Sequence, residues 1–230
     1  MTNSSLISII IPTLNEAERI EAQLAGLQAL GDDRIEIIVV DGGSRDDTPT
    51  LAAPLASHVI SSNPGRAVQM NCAAQASQGD ILLFLHADSR LPDGSIDEIQ
   101  QALSDDYEWG RFNIRLQGHH PMLKVIALAM NVRSRLSGIA TGDQALFMTR
   151  RAFEAVGGFP EQPLMEDIEI SKRLKRLSRP ACLRAHVVSS ARRWERHGLW
   201  STIWLMWCLR YRYWRGADSQ QLAKEYRHAR

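Results

Sequence analysis

Three apolar, strand-like runs in this sequence end in residues that can do chemistry. Residues 6–11 run into Pro12 and the segment 12–16, residues 35–40 into Asp41-Gly42-Gly43-Ser44, and residues 81–85 into His86-Ala87-Asp88. An acid at the end of a buried strand is costly unless it meets a cation or a hydrogen-bond donor. Asp41 is placed to accept donors from a base or ribose. Asp88, just beyond a wholly apolar run, is placed to hold a divalent metal, since Mg²⁺ and Mn²⁺ are often held by one or two carboxylates plus substrate phosphates.

The elements that must position these groups alternate between strand and helix patterns, which predicts an α/β fold around a mostly parallel sheet. In such sheets ligands bind outside the carboxyl ends of the strands, so the three segments share one rim. Asn15 is expected to cap a helix whose inward stripe is Ile20, Leu24 and Leu27. Thr48-Pro49 reads as the cap and first residue of another helix, residues 58–61 as a short strand, and residues 66–77 as a helix. The alternation over residues 109–116 predicts a strand with one wet face, antiparallel or at the sheet edge. Residues 121–136 read as a helix with Met, Leu, Val and Ile on one side and Lys124, Arg133 and Arg135 on the other. Residues 145–148 read as a strand and 166–177 as a charged helix.

The chain has 230 residues, 27 basic and 26 acidic, for a formal net charge of +1. That balance conceals a split: residues 1–110 hold 17 acids and 5 bases, residues 111–230 hold 9 acids and 22 bases. With 44% apolar and 23% charged residues the composition is that of a globular domain, not a disordered or fibrous chain. Cys72, Cys182 and Cys208 are scattered and form no CxxC pair, so neither a disulfide framework nor a zinc site is expected, and a reducing compartment is. No signal peptide is apparent, and the apolar run 199–209 is too short to span a bilayer. The expected location is cytoplasmic, extending to the inner face of the membrane.

The segments IIIPTLNEAERI, VVDGGSRDDT, GDILLFLHADS, TGDQALFMTRRAFEAVGGFPE and MEDIEISKRLK, in that order, resemble a family 2 glycosyltransferase of the GT-A fold over roughly residues 6–180. The segment 65–71 is similar to that of small, single-domain bacterial members. The resemblance implies a Rossmann-like, mostly parallel central sheet flanked by helices. A catalytic domain would span 1–190, with its donor half at 1–110 and its acceptor side at 111–190, and a helical extension would follow at 191–230. It also implies an inverting transferase, most simply a hexosyltransferase, moving sugar from a nucleotide-sugar donor to a hydroxyl acceptor with Mn²⁺ or Mg²⁺. Carried onto this sequence, Pro12, Asn15 and Glu16 border the nucleoside, Asp41 bonds its base, and Ala87 and Asp88 belong to the metal-binding Asp-x-Asp element. His86 stands where the first Asp often does, as a second metal ligand or a contact to ribose or phosphate. Asp167 corresponds to the general base, beside Glu166. Gly142, Asp143 and Gln144 fall on the acceptor side, Arg66 and Arg193 face the diphosphate, and Trp194 stacks on the acceptor sugar. Ser190 stands where processive members carry Gln, so a processive polymerase is not expected.

Five of the six tryptophans lie between residues 194 and 214, and Trp200, Trp204, Trp207, Tyr211 and Trp214 share one helical face. Two readings stand: a face packed on the catalytic domain or a second subunit, or an interfacial helix serving a lipid-linked or anionic acceptor through peripheral membrane contact. Competing functions are a nucleotidyltransferase or nucleotide-binding regulator on a related scaffold, and a nucleic-acid-binding protein. The first lacks a P-loop or dinucleotide fingerprint. The second lacks any recognised nucleic-acid-binding motif, so no nucleic-acid partner is expected.

Overall fold

The computed structural model describes residues 5–228, without the side chains of Arg193, Arg196, His197, Arg227 and His228. The strands are β1 (Ile7–Thr13), β2 (Ile35–Asp41), β3 (His58–Ser61), β4 (Ile81–Phe84), β5 (Ser89–Arg90), β6 (Trp109–Gln117), β7 (Leu146–Thr149) and β8 (Ala181–Ser190). The helices are α1 (Ala17–Gln28), α2 (Thr48–Ala52), α3 (Arg66–Ala76), α4 (Ser95–Ser104), α5 (Met122–Ser137), α6 (Arg150–Ala155), α7 (Glu166–Leu174), α8 (Arg192–His197), α9 (Leu199–Trp214) and α10 (Ser219–His228), with a 3-10 turn at Gly142–Gln144.

One sheet runs in the order β3-β2-β1-β4-β7-β6-β8-β5. Its first four strands are parallel. Beyond β4 the pairing becomes mixed: β7 is antiparallel to both β4 and β6, and β6 is parallel to β8. The continuous apolar runs follow from burial on both faces. Ile9, Val39 and Leu83 meet α1 and α4 through Ile20, Leu24 and Ile99. Ile10, Ile38 and Leu82 point the other way, into α3, α6 and α7 through Met70, Phe153 and Ile170. The result matches the expected α/β architecture.

Several local expectations are corrected. Strand β6 is antiparallel to β7, one of the two expected alternatives, but internal rather than at an edge, because β8, which sequence pattern did not reveal, pairs on its other side. Only its second half has a wet face, since Trp109 and Phe112 of the first half are in the core. Thr48 is the first helical residue of α2 and Asp47 occupies the cap position. Asn15 does not cap α1. Its backbone is left-handed (φ 56°), its Oδ1 accepts from the Arg45 amide at 2.8 Å, and Glu16 takes the cap position without a side-chain bond. In α5 the two faces are mixed: Val125, Leu128, Val132 and Leu136 are exposed, whereas Arg133 turns inward.

Two side chains of the segment 65–71 fasten the parallel strands to the rest. Gln69 is buried and its Nε2 donates to the Thr13 carbonyl at 2.8 Å and to the Val40 carbonyl at 2.9 Å, locking together the ends of β1 and β2. Asn71 exchanges two hydrogen bonds with the backbone of Phe159. Gly158 (φ 68°) brings that loop so near that a Cβ there would lie 2.9 Å from Asn71 Oδ1. Replacing Gln69 by Leu removes both donors and is expected to lower folding stability by about 1–2 kcal/mol in urea denaturation. Gln69→Glu, which sets an anionic oxygen against the same carbonyls, should cost more than Gln69→Leu; equal stability of all three proteins would contradict the clamp.

Candidate active site

A cleft opens where the carboxyl ends of β1 and β4 face the start of α7. Pro12, Arg66, His86, Gly142, Glu166 and Asp167 line it, over apolar surface from Met70, Phe84 and Phe159. Six residues singled out from sequence are thereby brought together from five separate segments.

The acids at its far wall depend on an unusual backbone. Met165 immediately before α7 is left-handed (φ 67°), a conformation disfavoured for a residue with a Cβ and retained where surrounding structure enforces it. Two of the other non-glycine residues with positive φ, Asn15 and Ala145, also lie beside segments of this site. Glu166 and Asp167 then enter the first turn of α7, where the helix dipole favours negative charge.

Asp167 Oδ2 accepts from the Gly142 amide at 3.1 Å, and Oδ1 accepts from the Ile168 amide at 2.8 Å. Burial and the adjacent charge of Glu166 nevertheless push the Asp167 carboxyl up to about 7, against these two donors. Glu166 is buried, with Oε1 3.9 Å from Arg66 Nη1. Gly142 is required by closeness, since a Cβ there would lie 2.6 Å from His86 Nε2.

Behind this wall Asp143, expected on the acceptor side, sits with Arg133, which residue patterns did not single out. Arg133 Nε and Nη2 are buried without a hydrogen-bond partner, and so is Asp143 Oδ1. Burial lowers the proton affinity of Arg133, while the charges of Asp143 and Asp167 oppose that loss. Burial likewise raises the Asp143 carboxyl, opposed by its hydrogen bond with Thr141 and by the Arg133 charge. The signal was present: Arg133 lies at helical spacing from Ile126 and Met130, on the inward stripe.

On the donor side Asp41 is buried, and its carboxylate accepts from the Gly43 and Ser44 amides, both at 2.9 Å, and from the Ser44 hydroxyl. It shapes the loop after β2. Asn15 closes that loop from the other side, its amide donating to Ser44 Oγ at 2.9 Å. The Glu16 amide donates to Thr48 Oγ1 at 2.8 Å, and its carboxylate pairs with Arg19.

Asp88 is half-buried in the turn after β4, and its carboxylate makes no hydrogen bond or ion pair among the described residues. No group of three His, Cys, Asp or Glu able to hold a metal occurs among the described residues. A free carboxylate two residues from an imidazole fits a cation whose remaining ligands come from phosphates and water.

Other expected contacts lie elsewhere. The Ala87 side chain is in the core and does not line the cleft. Gln144 is fully buried, its Oε1 accepting from the Thr141 amide at 3.2 Å, so it builds the turn rather than meeting an acceptor. Trp194 packs beside Ile114, Leu116 and Leu123, away from the cleft lining. Arg193 belongs to α8, but its side chain is outside the described residues.

The model of the family described as glycosyl transferase family 2 matches residues 8–153. The succinoglycan biosynthesis protein ExoA of Rhizobium meliloti is 30% identical over 195 residues, covering 76% of this chain and 59% of that protein. Glucosyl-3-phosphoglycerate synthase of Mycobacterium tuberculosis is 33% identical over 92 residues, covering 36% of this chain and 28% of that one. Among solved structures, a mannosyltransferase from Pyrobaculum calidifontis in complex with GDP-Man and Mn²⁺ superposes with a TM-score of 0.66 at 21% identity, covering 82% of this chain and 57% of that one. The chain thus spans less than two thirds of the length of each of these relatives.

The charges around Asp167 make a prediction of opposite signs. Glu166→Gln removes a neighbouring negative charge and should move the Asp167 titration midpoint down, whereas Arg133→Leu removes a positive one and should move it up. Carboxyl ¹³C shifts read both, and shifts of the same sign in the two variants would contradict the arrangement.

Proposed function

The chain belongs to glycosyl transferase family 2, and from that premise we propose that it moves a sugar from a nucleotide-diphosphate donor to an acceptor hydroxyl with inversion, Asp167 acting as general base. The observation that carries this reading is the Asp167 carboxylate, lining the cleft and held to about 7 by burial and Glu166. A base is most effective when its proton affinity lies near the working pH. Inversion asks for a base on the face opposite the departing diphosphate, a role the reading gives to Asp167, which lines the cleft together with Glu166 and Pro12.

In this reading Pro12, Asn15 and the Asp41 loop receive the nucleoside, and Arg66, whose side chain is 50% exposed, turns from Glu166 to the diphosphate. Asp88, with His86 beside it, would hold Mn²⁺ or Mg²⁺ together with the donor phosphates; when bound, the cation stabilises charge on the leaving diphosphate. The donor half is acidic, so a dianionic diphosphate needs such neutralisation. Gly142 keeps the Asp167 carboxylate aimed while leaving room for His86. The acceptor enters from the side built by residues 111–190, where the basic surplus suits an anionic or lipid-linked molecule.

A panel of UDP-, GDP-, TDP- and CMP-sugars with Mn²⁺ is expected to give thermal stabilisation by one donor class, and transfer from it. Asp167→Asn should lower kcat by roughly 10²–10⁴-fold with donor binding little changed, because it removes the base and leaves the cradle. Asp88→Ala should instead weaken metal-dependent donor binding. Retention of transfer by both variants would contradict the assignment.

A further inference from the structure

Helix α9 buries one side and leaves its aromatic side open. Thr202 and Leu209 are buried, whereas Trp200, Trp204, Trp207, Tyr211 and Trp214 are between 60% and 73% exposed. This corrects the expectation that the aromatic face packs on the catalytic domain. Five side chains so exposed present on the order of 700 Å² of aromatic surface, above what a monomer ordinarily shows in one patch. Single exposed apolar residues need no explanation, but an aligned row of them does.

The charges say what covers it. Residues 199–214 contain no Asp or Glu. Arg210 and Arg215 lie on either flank of the stripe at helical spacing, while Arg212 is already paired with Glu225. Two-fold pairing with a second copy would set these flanks against identical basic flanks, with no acid on the helix to meet them. An anionic lipid surface meets them directly, and indole rings at that depth keep their N–H groups at the polar boundary. No helix among the described residues is long and apolar enough to cross a membrane, so the contact lies in the plane of the surface.

We propose that α9 is an interfacial anchor that lays its Trp200–Trp214 face into an anionic bilayer. The buried side of the same helix reaches the site: Leu209 packs with Met165 and Leu222, and Leu205 and Tyr213 join them with Ile168. Tyr213 also donates to Glu169 Oε2 at 3.3 Å and accepts from Gln162 Nε2 at 3.2 Å. The anchor therefore rests on the residues flanking Glu166 and Asp167, and would hold the acceptor side of the cleft close to the lipid headgroups. Lipid binding is independent of the sugar-transfer reading, and either can fail alone.

The test is binding of the full chain to vesicles of phosphatidylcholine containing about a third phosphatidylglycerol, at low salt, followed by sedimentation and intrinsic fluorescence. Since four of the six tryptophans, Trp200, Trp204, Trp207 and Trp214, lie on this face, a blue shift on binding reports it. Trp204→Ser and Trp207→Ser should each weaken partitioning by about tenfold, and Arg215→Glu should weaken it while leaving the melting temperature unchanged. Absence of sedimentation and of a blue shift overturns the proposal. So does a dimer in solution that Trp204→Ser dissolves while vesicle binding is lacking.

Discussion

The hydrogen bond from the Gly142 amide to the Asp167 carboxylate is the contact on which the site depends. It joins the turn before β7 to the first turn of α7, two segments far apart in sequence, and it satisfies a carboxylate that burial otherwise penalises. A side chain at position 142 would have to displace the His86 ring, and left-handed Met165 immediately precedes the two acids. Two of the non-glycine residues with positive φ, Ala145 and Met165, thus lie in the segments that this bond joins. The raised proton affinity of Asp167 comes from burial and the neighbouring Glu166, against the two backbone donors.

The parallel half of the fold was legible because burial on both faces leaves a plain record: unbroken β-branched runs ending in turn or acidic residues. Pro12, Asp41 and His86 could be placed at a common rim from that record alone. What was not legible lay where one residue type serves two purposes. Arg133 looks like a solvated charge, Gln144 like an acceptor contact and Trp194 like a sugar platform, yet one lies against the acids, one closes a turn and one packs half-buried against Ile114, Leu116 and Leu123. Strand β8 was missed because its Arg184 and His186 interrupt the apolar pattern. Asn15 has the composition of a cap, and its position against the loop after β2 decided otherwise.

The division of charge along the chain takes on a spatial meaning. The acidic first half builds the strands and loops that face the nucleotide in the proposed reaction, and Arg66 is the one arginine it contributes to the cleft lining. The basic second half supplies Arg133 behind the acids and the arginines beside the aromatic stripe. A balanced total therefore hides two stretches of opposite charge along the chain.

The central claim is that Asp167 acts as a base whose proton affinity the site has raised, and the pH dependence of sugar transfer in a single turnover tests it most directly. A raised carboxyl must lose its proton to work, so the rate should fall as pH drops through about 7 and level off above it. A rate that stays flat from neutral pH down into the ordinary carboxylate range would contradict the account.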